Sequence, residues 1–370
     1  MAIVFTTALP QDQVLNAYNN SVIRFGTDSG APARSVVQVD KYKFEITPNN
    51  GEFYFNLKDV VTLLINQNKF IDAIAPDSPA NYVFPDNTLF LDVEVSITIF
   101  KTNGASETDT LNLNYLKAVQ QLFRPIYDES ETFRILLPAD NIKKHVTYFE
   151  GYPFDVSIYS NASRSVTVTN KRTAQSINIS LLKGVNRLFL SNGENDNLGF
   201  EGSLPLNLGV NELVFSFGSE SYTLFVDKKP VACGVYVKWF NQSGGWSYWL
   251  FEALYQEKLT FKATQLINND FRNLENTSSR QIITAKESQK AFDVETYLIN
   301  HQERLILGDL PESPKVYFYA IPELQPFKAV DFKEVTVKDG TIQLNNTKNA
   351  IQRYAFTIEL PNQYTQKYAG

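Results

Sequence analysis

Hydrophobic and polar residues alternate in several stretches of this chain, and the alternation predicts β-strands. In the segment 91–99 every odd-numbered residue is apolar and every even-numbered residue is polar. A period of two places one set of side chains in a core and the other set in solvent. We therefore expect these residues to be buried: Leu91, Val93, Val95, Ile97 and Ile99. The residues expected on the exposed face are Asp92, Glu94, Ser96 and Thr98.

Turn dipeptides between alternating segments predict β-hairpins. Asn103-Gly104 follows the strand 91–99, and Asp339-Gly340 follows the segment 335–338. Such dipeptides accept the positive φ of tight two-residue turns. The expected hairpins join 35–39 to 42–46, 91–99 to the residues after Gly104, and 335–338 to 341–344. Further alternation at 164–169 and 176–180 indicates two more strands.

Helices are predicted in only three short segments. Apolar residues recur every three or four positions in 57–65, in 113–123 and in 296–307, which is the spacing of one helix face. Pro125 is expected to end the second helix and Gly308 the third. Each predicted helix has about three turns, so the chain as a whole is expected to be a β-protein.

The turn signals divide the chain into three predicted domains. Residues 1–138 are expected to form an N-terminal β-sandwich-like domain with two short helices. Residues 139–230 carry turn signals roughly every 8–12 residues, which is typical of an Ig-like β-sandwich. Residues 231–370 are expected to form a C-terminal β-domain with one helix. The predicted fold class is mainly β and multi-domain, with Ig-like β-sandwich and β-barrel-like domains and a few short helices.

Composition excludes several kinds of chemistry. Aromatic residues make up 13% of the chain and charged residues 20%, a balance that favours sheets. The net charge of −6 gives no basic field for phosphates, so we expect no nucleic-acid partner. With two histidines and one cysteine, the chain lacks the ligands of a Cys/His zinc site and has no internal disulfide. We expect no cofactor and no metal.

The ends and the apolar segments of the chain give no sign of export. The first ten residues lack the basic start and the long apolar run of a signal peptide. No segment reaches the ~18 apolar residues of a membrane span. We therefore expect a protein made in the cytoplasm, without membrane insertion.

Two weak candidates for catalysis each have a structural interpretation that we prefer. Cys233 with His145 or His301 would supply a thiol and a base, but Cys233 lies in an apolar segment where a thiol acts as a small hydrophobe. Asp92 and Glu94 share a strand face, as the paired carboxylates of a glycosidase would, but that face is expected to be solvated. We therefore expect no catalytic residues.

The segment 234–251 is the most distinctive in the chain, since it holds all three tryptophans within eleven residues. Gly244-Gly245 predicts a tight turn between two aromatic strands. One interpretation is a stacking surface for sugar rings or bases. We prefer an interface or packing hairpin whose rings pair across the strands and anchor a core. Its candidate residues are Tyr236, Trp239, Phe240, Trp246, Tyr248, Trp249 and Phe251.

The residue order in 234–251 resembles a segment of tail or tail-tip structural proteins from phages and prophages of Bacteroidetes. In those proteins an apolar strand and a Trp precede a Gly-containing turn, and an aromatic residue and Tyr-Trp-Leu-Phe follow it. The segments 19–59 and 310–319 are similar to the N-terminal sandwich and the last β-domain of the same proteins. The resemblance implies a virion protein of the tail, synthesised in the host cytoplasm. It also implies assembly into a ring or other symmetric oligomer, with other virion tail proteins as partners.

The sequence therefore predicts a structural component of a phage virion, from the tail or tail tip, that holds neighbouring virion proteins. The alternative is a carbohydrate- or receptor-binding adhesion module in which 234–251 contacts a host surface glycan. A third hypothesis is an enzyme such as a glycan depolymerase, but no acidic pair is placed by the sequence in a cleft. We therefore predict a protein that is not an enzyme.

Overall fold

The computed structural model confirms the predicted fold class, which is mainly β and multi-domain with short helices. It describes residues 3–67, 70–72, 74, 82–121, 132–138, 143–193, 200–230, 232–252, 255–268, 275, 281–319, 332–342, 353–363 and 365–367. Strands in these residues build five sheets, which have from three to seven strands each. Among the described residues, no helix has both the length and the apolar character needed to cross a membrane.

The N-terminal part contains two sheets around one core. Its elements are β1 (Ile3–Thr7), β2 (Val14–Asn16), β3 (Val22–Thr27), β4 (Pro32–Val39), β5 (Tyr42–Ile46), β6 (Phe53–Asn56), α1 (Lys58–Ile65), β7 (Val83–Pro85), β8 (Phe90–Lys101) and β9 (Ser106–Leu116). The sheet β1-β3-β6 and the sheet β2-β9-β8-β4-β5 contribute side chains to a shared apolar cluster. α1 closes this cluster with Val60, Val61 and Ile65.

The alternation of the segment 91–99 determines which face of β8 is buried. Val93, Val95, Ile97 and Ile99 are buried, whereas Leu91 is only half-buried. Of the polar residues, Asp92 and Glu94 are exposed and Ser96 and Thr98 are half-buried. The prediction is thus confirmed for the central residues of the strand. The two hairpins at Asp40-Lys41 and Asn103-Gly104 are also confirmed.

The predicted helix at 113–123 is wrong. Residues 106–116 form β9, which pairs with β8 over its whole length. Leu111, Leu113 and Tyr115 alternate with Asn112 and Asn114, and the hairpin turn at Asn103-Gly104 brings this period of two into register with β8. Tertiary pairing therefore overrides the helical spacing of Leu113, Leu116 and Val119. Residues 122 and 123 lie outside the described residues.

The middle part is an Ig-like β-sandwich. Its elements are β10 (Phe133–Ile135), β11 (Lys144–Phe149), β12 (Pro153–Ser160), β13 (Arg164–Asn170), β14 (Gln175–Leu181), β15 (Gly184–Asn192), α2 (Phe200–Ser203), β16 (Gly209–Phe217) and β17 (Glu220–Lys229). One sheet has the order β10-β12-β15-β7 and the other β11-β17-β16-β13-β14. The first order matches strands A-B-E-D of an immunoglobulin sandwich. In the second, β17-β16-β13 match strands G-F-C. The strands predicted at 164–169 and 176–180 are β13 and β14.

A strand from earlier in the chain completes this sandwich. β7 pairs with β15 through Val83, Phe84 and Pro85, at the position that strand D has in the immunoglobulin sandwich. β10, which also precedes residue 139, pairs with β12. The sheet of the middle part therefore includes residues from both sides of the predicted boundary. The division into 1–138, 139–230 and 231–370 stays a prediction.

The C-terminal part is built on one seven-stranded sheet. Its elements are β18 (Gly234–Phe240), β19 (Trp246–Glu252), β20 (Tyr255–Asn268), β21 (Gln281–Glu295), α3 (His301–Leu307), β22 (Val316–Tyr319), β23 (Phe332–Val337) and β24 (Ala355–Glu359). The strand order is β19-β18-β22-β23-β24-β21-β20.

Two predictions for the C-terminal part need correction. α3 begins at His301 rather than at residue 296, because Asn300 caps it with a reciprocal bond to Glu303. The Thr296 amide instead donates to the carbonyl oxygen of Tyr354 at 2.9 Å. The hairpin at Asp339-Gly340 is wrong within the described residues, since Thr341 and Ile342 lie in no strand. β24 instead pairs with β23, through Thr336 and Val337. Residues 343 and 344 lie outside the described residues.

Lys117 lies just after β9, where parts of the chain far apart in sequence meet. Its side chain is buried, donates a hydrogen bond to the carbonyl oxygen of Ile65 at 3.3 Å, and lies 3.6 Å from the ring centroid of Phe70. Burial lowers the pKa of Lys117 from 10.5 to about 8, although the Asp86 carboxylate opposes this shift. Near neutral pH the Lys117 side chain is protonated, and the burial of this charge lowers the stability of the folded state.

The first test concerns the register of β8. Val95→Asp should destabilise the protein by at least about 3 kcal/mol, because it leaves a buried carboxylate without a partner. Glu94→Gln, on the exposed face one residue away, is the control and should leave the free energy of unfolding unchanged. Chemical denaturation of both variants measures this difference. Equal losses of stability would contradict the burial of the Val95 face.

The second test concerns Lys117. Above about pH 8 the folded chain loses the Lys117 proton, whereas the unfolded chain keeps it up to about pH 10.5. Because the unfolded state binds more protons in this window, the wild type should become more stable as pH rises through it. Relative to Lys117→Met, we expect a gain of about 2–3 kcal/mol between pH 7 and pH 10, measured by urea unfolding at both values. Parallel pH profiles in the two proteins would contradict the lowered pKa.

Candidate functional site

The seven aromatic residues singled out in the sequence all lie on β18 and β19 and are all buried. Their exposed fractions run from 0% for Trp239 and Phe251 to 6% for Trp249. The two strands pair in antiparallel register, with Lys238 opposite Tyr248 and Phe240 opposite Trp246. Since no ring of this hairpin is open to solvent in the single chain, the rings are not available as a stacking surface for sugars.

The hairpin of β18 and β19, which we call the aromatic hairpin, packs against other parts of the chain on both of its faces. Tyr236 contacts Tyr152 of the sandwich with ring centroids 4.5 Å apart, and its hydroxyl donates to the carbonyl oxygen of Pro153 at 2.7 Å. On the opposite face, the Trp249 ring meets Phe149 edge-on at 5.5 Å. The hairpin therefore joins the Ig-like sandwich to the C-terminal sheet. A role between two subunits stays a prediction.

The turn between β18 and β19 is inserted into a narrow space, which explains its two glycines. Gly244 has a φ of +89°, and a Cβ atom on Gly245 would lie 2.6 Å from the carbonyl oxygen of Leu136. The Asn241 side chain closes the turn: its carbonyl accepts from the Gly245 amide at 3.1 Å, and its amide donates to Leu136 at 3.1 Å. Only glycine leaves room for this approach.

A buried group of charged side chains lies beside the aromatic hairpin, and we call it the charge cluster. Its members are Asp72, Asp155, Arg187, Lys238 and Tyr248. Arg187 binds Asp155 through two nitrogens, with Nη2 at 2.6 Å and Nε at 3.0 Å. A third nitrogen, Nη1, binds Asp72 at 2.6 Å, and Lys238 Nζ binds the other oxygen of Asp72, also at 2.6 Å. The Tyr248 hydroxyl binds Asp155.

The charge cluster is closed to water. Its charged side chains are at most 2% exposed, and its two cations face the carboxylates of Asp72 and Asp155. A further buried carboxylate, Asp86, lies 3.9 Å from Arg187 Nη1. Burial by itself would raise the pKa of Asp72, but Arg187 and Lys238 outweigh it and hold that pKa well below its usual range. Burial, reinforced by the Asp155 carboxylate, raises the pKa of Tyr248 well above 10.0. Asp72 therefore remains a carboxylate, and Tyr248 remains a hydrogen-bond donor.

The charge cluster was missed at the sequence level because its members come from five separate segments. Asp155 lies on β12, Arg187 on β15, Lys238 on β18 and Tyr248 on β19, while Asp72 follows α1. The one available signal is a charged residue inside an apolar strand, as Lys238 is within 235–240. This signal marks a buried charge but does not identify its partner.

The other sequence candidates lie apart from the aromatic hairpin. Asp92 and Glu94 are on the exposed face of β8, and Asp92 binds Lys183 at 2.7 Å. Cys233 precedes β18 and is exposed, so its thiol does not pack as the small hydrophobe that the apolar segment indicated. His145 stacks on Phe225 at 4.6 Å. Within the described residues, no group of three or more His, Cys, Asp or Glu side chains is arranged to hold a metal ion.

The most exposed apolar feature is the hairpin of β20 and β21, residues 255–268 and 281–295, which we call the arm. All fourteen residues of β20 are exposed. Seven of the sixteen large apolar residues that are exposed in the described chain belong to the arm. They are Tyr255, Leu259, Phe261, Leu266, Ile267, Ile282 and Ile283. Soluble single chains rarely expose so many apolar side chains together, and such patches mark interaction sites.

The edges of the arm are unequal. On one side β21 pairs with β24, and the chain beyond β24 continues along it, with Gln363 bonded to Ser288 at 2.9 Å and Lys367 bridged to Ala285. On the other side β20 is the last strand of the sheet, and no described strand pairs with its outer edge. In the part of the chain that the structure describes, the arm therefore has one open edge, that of β20.

Comparisons with known proteins give no family for this chain. No protein-family model matches it, and no curated protein matches it. Among solved structures, a chimeric titin Z1Z2–Z1Z2 tandem is 13% identical, covering 61% of this chain and 99% of that one, with a TM-score of 0.17. A 1.5-MDa bacterial ice-binding adhesin is 10% identical, covering 76% and 88%, with a TM-score of 0.18.

A third solved structure, domains 4–9 of the surface layer protein SbsC, is 7% identical, covering 96% of this chain and 42% of that one, with a TM-score of 0.16. These TM-scores are all far below 0.5. The similarities therefore carry no argument about the fold or the function of this chain. The Ig-like character of the middle part follows from its own strand order.

The charge cluster gives a third test. Arg187→Met leaves Asp72 and Asp155 buried with Lys238 as the one remaining cation of the cluster, so we expect a loss of about 3–5 kcal/mol in the free energy of unfolding. Lys183→Met is the matched control, because it breaks an ion pair whose side chains are 44% and 55% exposed. The control should lose at most about 1 kcal/mol. Similar losses in the two variants would show that the charge cluster is not what joins these segments.

Proposed function

We propose that this chain is a non-enzymatic structural component of a phage virion, in the tail or tail tip, that holds neighbouring protein subunits. The observation that carries the proposal is the arm, which combines an open strand edge with exposed apolar side chains. A protein that works by assembly needs such a surface, and an open edge offers backbone hydrogen bonds to a strand from another subunit.

The parts of the chain that carry the arm are connected to one another by buried contacts. The aromatic hairpin and the charge cluster link the segment around Asp72, the Ig-like sandwich and the C-terminal sheet through buried contacts. A load applied to the arm passes through β21 and β24 into the same sheet that contains β18 and β19. This arrangement suits a subunit that holds two neighbouring subunits in fixed positions relative to each other.

The resemblance of 234–251 to tail proteins of Bacteroidetes phages supplies the virion location in this proposal. The adhesion alternative depended on exposed Trp and Tyr rings, and those rings are buried. We therefore place assembly first, with glycan or receptor binding as the outcome that the test below distinguishes.

The experiment uses phage particles produced with and without the gene for this chain. We expect the chain in purified tails by mass spectrometry, and tailless or incomplete particles when the gene is deleted. Complementation with Leu259→Lys/Phe261→Lys, two changes on the arm, should fail to restore assembly. Complementation with Leu182→Lys, an equally exposed leucine outside the arm, should restore it.

Two results would overturn the proposal. Absence of the chain from purified particles would exclude a virion component. Complete particles that form without the chain but fail to adsorb to cells would replace assembly by receptor binding.

A further inference from the structure

We infer that the open edge of β20 pairs with the same edge of a second copy of this chain, in antiparallel orientation about a twofold axis at Leu259. The inference rests on the proposed function, because it names the partner of the arm. It follows from the geometry of the edge, from the charge of the arm and from the order of side chains along β20.

The edge is long enough to build an interface by itself. β20 has fourteen residues, and its part without a bulge, Tyr255–Ala263, extends about 30 Å at ~3.3 Å per residue. An ordinary strand has about 5–6 residues. Proteins usually protect an edge of this length with charges, short strands or cover from another element. Here the cover lies on the β21 side, where β24 and residues 363 and 367 pair.

The charges of the arm are balanced, with four lysines and four carboxylates in β20 and β21. Three of these lysines form ion pairs within the arm, and the fourth carboxylate, Glu295, binds Arg353 outside it at 3.3 Å. Lys258 binds Asp293, Lys262 binds Glu287 at 3.4 Å, and Lys290 binds Glu257 at 2.6 Å. A partner rich in one sign of charge would gain nothing from such a surface. A second copy is not repelled by it, although the whole chain carries a net charge of −6.

One face of the arm carries a row of apolar side chains, which we call the apolar strip. Glu257 interrupts this strip and binds Lys290 on the same face. Residues directly opposite each other share a face, and the register places Tyr255 with Val294 and Leu259 with Lys290. Tyr255, Leu259 and Phe261 project from the same face, with exposed fractions of 48%, 54% and 66%. A twofold axis perpendicular to the sheet places this face of both copies on the same side of the joined sheet. The apolar strips of the two arms would therefore lie next to each other.

The position of the axis follows from the two lysines of β20 and from its bulge. The register with β21 is regular from Tyr255 to Ala263 and shifts after Ala263, so an axis at residue 261 or later would carry the bulge into the new ladder, whereas Leu259 is the midpoint of the regular part. An axis at Leu259 sets Leu259 opposite its copy, Glu257 opposite Phe261, and Lys258 opposite Thr260. An axis at residue 258 would set Lys258 against itself, and an axis at residue 260 would set Lys258 against Lys262. Like charges directly opposite are destabilising in a sheet. The register centred on Leu259 avoids both contacts and pairs apolar side chains at the centre.

Disulfide trapping tests this register in the full chain. Cys233 is the single cysteine and is exposed, so the parent is Cys233→Ser. In Leu259→Cys the two engineered residues would have Cα atoms about 4.5–5.5 Å apart, within the range a disulfide spans. In Thr260→Cys the copies would be offset diagonally by about 7–8 Å, beyond that range. We expect at least tenfold more covalent dimer from Leu259→Cys than from Thr260→Cys under mild oxidation.

The oligomeric state supplies the second measurement. Analytical ultracentrifugation of the wild type should show a reversible dimer, and Leu259→Lys should weaken its dissociation constant at least tenfold. Leu182→Lys, with an exposed fraction of 52% against 54% for Leu259, should leave it unchanged. Equal trapping at residues 259 and 260, or a dimer unaffected by Leu259→Lys, would overturn the inference.

The two proposals fail in different ways. A chain that stays monomeric while Leu259→Lys/Phe261→Lys still blocks particle assembly would mean that another virion protein occupies the edge. That result overturns the second copy as partner and leaves the proposed function standing. An arm variant that assembles normally and dimerises normally would overturn the role of the arm in both.

Discussion

The contact between Arg187 and the carboxylates of Asp155 and Asp72 is the interaction on which the arrangement of this protein depends. It brings a residue that follows the first helix into the wall of the Ig-like sandwich, and Lys238 extends the same contact to the C-terminal sheet. Buried ion pairs contribute little net stability compared with apolar packing, but removing one partner is strongly destabilising. Another arrangement of the same three segments would leave a buried charge unpaired, so the charge cluster disfavours it.

The aromatic hairpin complements the charge cluster with non-directional packing. The rings of β18 and β19 fill the space around the cluster, and the Arg187 and Lys238 side chains lie 5.7 Å and 5.3 Å from the Trp246 ring. Apolar burial provides most of the folding free energy at such a junction. The ion pairs form in only one alignment of the strands. Because both contributions converge on β18 and β19, this pair of strands positions the base of the sheet from which the arm extends.

The sequence predicted those parts of the structure that local patterns determine. The alternation in β8 and the turn at Asn103-Gly104 were sufficient to identify the strand, its buried face and its hairpin. The segment 113–123 was misassigned because Leu113, Leu116 and Val119 fit a helical spacing, while pairing with β8 decided the outcome. The charge cluster was out of reach, because its five members meet only through the folded topology. The arm was equally hidden, since alternation such as Leu259-Thr260-Phe261 ordinarily indicates a buried face.

The residues after β24 have a consequence for growth of the sheet. By pairing with β21 at Ser288 and Ala285, they cap one side of the arm with the chain's own backbone. A hairpin with two open sides can add strands without end, as in a fibril, whereas one with a single open side stops after one addition. An exposed apolar arm of this kind is thus compatible with a finite particle. Loss of residues 360–367 would open the β21 side of the arm as well. The pairing between arms would then be expected to continue from copy to copy instead of stopping after one addition.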